Sequence, residues 1–325
     1  MYNSEEILEK INQGLAKLEL EGQPFGLYQP IRYVLSLGGK RLRPVLMLMA
    51  YNMYRDDVEK ILSTALGLEV YHNYTLLHDD VMDRAEVRRG KPCVHKVWNE
   101  NTAILSGDTM LVLAYQLIAQ CPPKQLKNVL DLFTKTALEI GEGQQYDIDF
   151  EERLDVTEAE YIEMIRLKTS VLLACALKMG ALQAGASASD ASALYSFGEK
   201  IGLAFQLQDD MLDVYGDFKT FGKKIGGDIL CNKKTYMLIQ ALANSKGWTH
   251  KELLDWINAS EYDADEKIRA VTAIYDQVGV RSMCQERINE YFHEARVILE
   301  QDVKLSLEKK QLLWEYALSL LSRES

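Results

Sequence analysis

Proline is scarce and unevenly placed. The chain has Pro24, Pro30, Pro44, Pro92, Pro122 and Pro123, and none beyond. Roughly two hundred residues therefore run without a helix breaker. The five cysteines, Cys93, Cys121, Cys175, Cys231 and Cys284, include no CxxC pair. An odd number at wide spacing argues against a closed disulfide framework, and the lack of any Cys/His pair with finger-like spacing argues against zinc ligation. Reduced thiols in a cytoplasmic protein are the simpler reading. Met1 to Lys10 carries acids early and lacks a basic-then-apolar leader pattern. No long apolar run is present. The best stretch, Val171 to Ala188, is interrupted by Lys178, so a soluble protein without stable membrane insertion is expected. Net basic charge is also missing. At -11, a broad nucleic-acid footprint is excluded, and any anion must be met by local cations or metal ions.

What is present is helical periodicity. Leu167, Val171, Ala174 and Leu177 recur at three and four, as do Ile288, Tyr291, Phe292 and Ala295. Strand-like alternation between turn signals is absent, and no hairpin signature separates two alternating runs. The pattern predicts an all-α chain. Helices are expected over about 3–20, 28–37, 43–54, 57–82, 95–120, 124–149, 157–185, 188–216, 233–244, 249–259, 264–300 and 304–322. No linker with a composition shift interrupts them, so one domain over 1–325 is expected.

The internal echo is chemical. Asp79-Asp80-Val81-Met82-Asp83 and Asp209-Asp210-Met211-Leu212-Asp213 share the form DDxxD, 130 positions apart (209 minus 79). On a helix the first and last acids lie about 40° apart and one turn along, so the three carboxylates share a side. Like charges so placed repel, and the apolar company of Leu76, Leu77, Leu207 and Met211 makes that worse. A hard divalent cation with phosphate oxygens would compensate. Two such faces meeting across a cavity would clamp a metal-bound diphosphate. Basic clusters supply further anion contacts: Gly38-Gly39-Lys40-Arg41-Leu42-Arg43-Pro44, Arg88-Arg89-Gly90-Lys91, Gly222-Lys223-Lys224 and Lys233-Lys234. The first is not a nucleotide loop, because the Walker spacing is missing. Lys168-Thr169 lies inside an apolar helix. His72, seven residues before Asp79, shares its helical face and is a candidate phosphate donor.

GGKRLRP, HDDVMDRAEVRRGKP, FQLQDDMLDVYGD and GKKIGGD, in that order, resemble the trans-isoprenyl diphosphate synthases, or polyprenyl synthetases, from about Tyr28 to about Tyr236. The resemblance implies a helical bundle around a deep central cavity, as a homodimer. It implies head-to-tail condensation of isopentenyl diphosphate with an allylic diphosphate. It makes Asp79, Asp80, Asp83, Asp209, Asp210 and Asp213 the ligands of up to three magnesium ions. Arg88, Lys168, Lys223 and Lys233 become allylic diphosphate contacts. Lys40, Arg43, His72 and Arg89 become the isopentenyl diphosphate site. Gln206, Lys168 and Thr169 would face the developing carbocation, and Gln144 and Asp147 would support the cavity. Bulky residues four or five positions before the first cluster limit product length in the family. Thr75 and Tyr74 hold those positions here, with Tyr71 a further cap, which resembles enzymes making fifteen- or twenty-carbon products. The rival readings are a class I terpene cyclase, which would normally carry a different second metal motif, and a non-catalytic synthase subunit, which would be expected to lack some of these motifs.

Overall fold

The computed structural model describes residues 2–216 and 225–321. Among them the fold is all-α except for one two-stranded ribbon. The helices that position the site are α1 (Ser4–Ala16), α2 (Phe25–Ser36), α3 (Leu42–Asn52), α4 (Leu62–Met82), α5 (Val94–Val97), α6 (Glu100–Ile118), α7 (Leu126–Glu151), α8 (Glu158–Ile165), α9 (Val171–Ala184) and α10 (Ala188–Tyr215). Further helices follow, including Tyr236–Asn244, Ala264–Val278 and Val280–Val297. No helix of the described residues is long and apolar enough to cross a membrane.

Two compact units divide the chain. The first comprises Met1–Thr134, Cys175–Tyr195 and Asp302–Leu313. Its centre is α3, whose Val45, Leu46, Met47, Leu48 and Met49 are all buried. A helix apolar on every side must be enclosed, and α4 and α6 pack within the same unit. Truncating a residue such as Leu48 to alanine is expected to cost about 3 kcal/mol. The second unit comprises Lys135–Ala174, Ser196–Gln301 and Trp314–Ser325. Its core gathers Tyr161, Leu203, Leu207, Met211, Met237, Tyr275 and Ile288.

Local chemistry explains where the helices start and stop. Asn3 with Glu6, and Thr157 with Glu160, form capping boxes at α1 and α8. Asn99 is extended and caps the amide of Thr102, so the helix expected over 95–120 is two helices, α5 and α6. Gly279, at φ 82°, likewise splits the expected 264–300 helix. The expected 157–185 helix carries a π-helical turn at Arg166–Ser170. The ribbon pairs Val87–Arg88 with Lys91–Pro92. It was not expected, because its turn is Arg89-Gly90 rather than Asn-Gly. Both turn residues nevertheless adopt positive φ, 52° and 74°, as a tight two-residue hairpin requires.

Candidate active site

In the first unit, the loop 38–41 delivers its cations onto the start of α3. Arg43 Nη1 lies 3.1 Å from His72 Nε2. An arginine can only donate, so this histidine nitrogen accepts. Burial, then Arg43, Arg89, Arg88 and Arg41, hold the His72 pKa well below its usual value. The ring is neutral, and only Nδ1 could donate to a phosphate. One arginine, Arg43, touches the ring, and the charges of Arg89, Arg88 and Arg41 act on it from further away. Lys40 is exposed at the loop.

The hairpin turn sets Arg88 and Arg89 beside the end of α4. Arg88 Nε donates to Asp80 Oδ1 at 2.9 Å, and its Nη2 lies 3.8 Å from Asp79 Oδ2. Asp80 is 4% exposed, so much of the acid's charge is already met by a protein cation. The three carboxylates of this cluster do not behave alike. Asp80 is buried on Arg88, whereas Asp83 is exposed at the C-cap, because α4 ends at Met82.

The second unit builds its cluster differently. Helix α7 passes close to the π-helical turn, since a side chain at Gly143 would overlap the Lys168 backbone nitrogen. One turn later on α7, Asp147 Oδ2 accepts from Lys168 Nζ at 2.6 Å and lies 3.9 Å from Lys233 Nζ. Burial opposes ionisation of Asp147, but Lys233 and Lys168 outweigh it and hold its pKa below the usual range. The expected supporting residue thus brings two expected diphosphate contacts together. Gln144 is half-buried one turn before.

The extra residue of the π turn aims Thr169 at α10, where its hydroxyl donates to Gln206 Oε1 at 3.0 Å. Gln206 Nε2 donates to Asp210 Oδ1 at 2.9 Å, and the Tyr161 hydroxyl donates to Asp210 Oδ2. Burial, then the charge of Asp228, push the Asp210 pKa up to about 7. Asp213 Oδ2 accepts from the Asp228 amide at 2.9 Å. Asp209 is half-buried at the same helix end. Lys223 lies outside the described residues.

Both clusters offer carboxylate oxygens, the donor type that hard divalent cations select. Among the described residues, no three histidine, cysteine, aspartate or glutamate side chains gather to hold an ion alone. Magnesium commonly takes one or two carboxylates and completes its shell with phosphate oxygens and water. The residues present therefore fit an ion that arrives with a diphosphate.

Residues 25–275 match the profile of the family described as "Polyprenyl synthetase". The chain belongs to the polyprenyl synthetase family. It is 38% identical over 304 residues to a geranylgeranyl diphosphate synthase of Methanosarcina mazei, covering 93% of this chain and 91% of that one. A crystal structure of a geranylgeranyl pyrophosphate synthase, 42% identical, superposes over 100% of both chains with a TM-score of 0.94. A Corynebacterium glutamicum geranylgeranyl pyrophosphate synthase, solved with isoprenyl diphosphate and magnesium, is 26% identical, with a TM-score of 0.86 over 98% of each chain.

In this polyprenyl synthetase the aromatic residues before the first cluster form a column in the first unit. The Tyr74 ring is 4.8 Å from His78 and 5.5 Å from Tyr71, and Tyr71 is 5.0 Å from Phe133. Thr75 turns its hydroxyl back to His72 O, 2.8 Å away. Tyr161, Glu69, Asn73 and Phe133 escaped the sequence reading, and Asp228 was quoted only as the end of GKKIGGD, without a role. Tyr161 sits just inside a capping box and Phe133 in a helical repeat, where an aromatic residue ordinarily reads as core. Glu69, three residues before His72, had a signal: an acid in an otherwise apolar helix start.

Proposed function

We propose that this chain condenses isopentenyl diphosphate head-to-tail with an allylic diphosphate, making an all-trans prenyl diphosphate of fifteen to twenty carbons and releasing diphosphate. The observation that carries this is the contact of Arg43 with a His72 kept neutral by burial and by the charges of Arg43, Arg89, Arg88 and Arg41, on the same helix as Asp79 and Asp80. An acidic protein has little use for so dense a cation cluster unless an anion visits it. The geranylgeranyl names of its relatives favour the twenty-carbon end of the range.

Asp79, Asp80, Asp83, Asp209, Asp210 and Asp213 would hold up to three magnesium ions. Bound magnesium would neutralise charge on the leaving diphosphate. Lys168, Lys233 and Lys223 add donors to that leaving group, with Arg88 on the other motif. Lys40, Arg43 and Arg89 grip isopentenyl diphosphate, and His72 adds its Nδ1 hydrogen. Departure of the allylic diphosphate leaves a carbocation, and the isopentenyl double bond attacks it. Thr169 and Gln206 turn oxygen dipoles toward that charge. The released diphosphate takes the proton lost from the isopentenyl unit. Tyr74, backed by Tyr71 and Phe133, blocks further growth of the chain.

We further propose that residues 1–325 act as one synthase domain and that the enzyme works as a homodimer in the cytoplasm. A terpene cyclase would leave the GGKRLRP cations without a second diphosphate, and a non-catalytic subunit would have lost some of these motifs.

The test is incubation of the purified protein with magnesium, labelled isopentenyl diphosphate and five-, ten- or fifteen-carbon allylic starters. Chain-length analysis then follows dephosphorylation. Fifteen- or twenty-carbon product, abolished by chelator, supports the proposal. No elongation from any starter, with folded protein, sinks it.

A further inference from the structure

Three residues that contact no proposed substrate lie among the isopentenyl diphosphate cations. Arg41 stands between Lys40 and Arg43 in the chain and is 5% exposed. Its backbone is left-handed, φ 50°, at the N-cap of α3. An ordinary side chain adopts that conformation only when its surroundings hold it there. The holding groups are Glu69 Oε1 and Leu35 O, each 2.7 Å from the guanidinium. Glu69 is 1% exposed, and one helical turn later Asn73 donates to both its Oε1 and its backbone oxygen at 2.8 Å. The other face of Asn73 meets Arg89, whose Nη1 lies 3.5 Å from Asn73 Oδ1 and also donates to Gly38 O. Gly39 leaves room for this: a Cβ there would stand 2.7 Å from Arg89 Cζ.

Two arms therefore run from Glu69. One goes through Arg41 to the backbone that carries Lys40 and Arg43. The other goes through Asn73 to Arg89. Burial holds the Arg89 pKa below its usual value, and Arg41 and Arg88 add to that, while the opposite charge of Glu69 works against it. Stability alone does not explain such a pair. Buried ion pairs often contribute no more than a hydrophobic pair of the same shape. This one also leaves Glu69 Oε2 and Arg41 Nε buried without a hydrogen-bond partner.

We infer that Glu69 is a positioning residue for isopentenyl diphosphate, setting the geometry of Lys40 and Arg43 through Arg41 and of Arg89 through Asn73. The inference rests on the reading of those three cations as the isopentenyl diphosphate site.

Steady-state kinetics on the full-length enzyme test it, varying each substrate separately. Glu69→Gln should raise KM for isopentenyl diphosphate about tenfold, the scale of one charge-assisted hydrogen bond. KM for the allylic diphosphate and kcat should stay within about twofold, the signature of lost uniform binding of one substrate. Glu69→Asp should recover part of the loss. Asn73→Ala leaves the Arg41 pair intact and should raise the same KM by a smaller factor. If Glu69→Gln does not fold, Asn73→Ala decides, and an unchanged isopentenyl diphosphate KM in that folded variant overturns the inference. Equal rises in both KM values, or a fall in kcat alone, also overturn it. Arg43→Ala separates the underlying reading: if it leaves the isopentenyl diphosphate KM unchanged, the assignment of the cations fails, whatever Glu69 does.

Discussion

The two DDxxD clusters share a spacing but not a way of tolerating their charge. On α4, the buried Asp80 is met by a guanidinium at 2.9 Å. On α10, the buried Asp210 is met by a tyrosine hydroxyl and a glutamine amide, and its pKa rises to about 7. A cation cancels charge, whereas neutral dipoles only soften the cost of burying it. In the first cluster Asp80 thus has its own counter-ion in Arg88. In the second, Asp210 stores unfavourable charge that Lys233 offsets only in part and that an incoming cation would relieve. The same motif can be a settled ion pair in one place and a poised site in another.

The largest expected effect would erase this difference. If both clusters serve catalysis, Asp79→Ala and Asp209→Ala each lower product formation by on the order of 10²–10³-fold, as loss of a preorganised electrostatic group does. Full activity in either variant, by labelled isopentenyl diphosphate incorporation, would confine catalysis to the other cluster. Stability should separate the two next. Asp80→Asn strands Arg88 and should cost about 2 kcal/mol. Asp210→Asn removes a desolvated acid and should cost nothing, or stabilise, above pH 7. Urea unfolding at about pH 8, where Asp210 is ionised, reads both, and equal losses would refute the contrast.

Asp147→Asn loosens Lys168 and Lys233 together. It should lower kcat/KM for the allylic diphosphate about tenfold, while KM for isopentenyl diphosphate holds. Tyr74→Ala should lengthen the product without slowing the first condensation. Unchanged chain length would show that Tyr74 is not the floor.

The smallest effect is in pH dependence. His72 is neutral when folded, and an unfolded histidine takes up a proton below about pH 6.5. Its contribution is therefore present above that pH and lost as pH falls below it. Asp210 works in the opposite direction. Its raised pKa makes the folded state hold a proton that the unfolded chain releases, so its penalty fades as pH falls below 7. Unfolding midpoints between about pH 5 and about pH 8 should flatten on acidification in His72→Asn and steepen in Asp210→Asn. Parallel curves would show that neither group titrates as described.

Much of this was legible in the residues. The long proline-free stretch gave an all-α fold, and spacing gave both acidic clusters. The misses share one cause. Asn99, Gly279 and the Arg89-Gly90 turn break or bend the chain through backbone geometry that weakly marked residues can adopt. The aromatic Tyr161 sits where a periodic pattern expects core, and the lone acid Glu69, although visible in an apolar helix start, carries no local mark of its partners.

The sequence by itself determined the helical class and the family, and it put forward the acids and cations proposed to carry the chemistry, because helical spacing and charge type are local properties. Only the tertiary structure decided that Asp80 is neutralised by Arg88, that Asp147 joins Lys168 to Lys233, that Asp210 is buried under Tyr161, and that Glu69 braces two arms of a cation cluster. Most of those facts are distances between residues far apart in the chain, Asp80 and Arg88 meet only because a hairpin folds back, and burial sets their cost. Neither distance nor burial is written in the spacing of a motif.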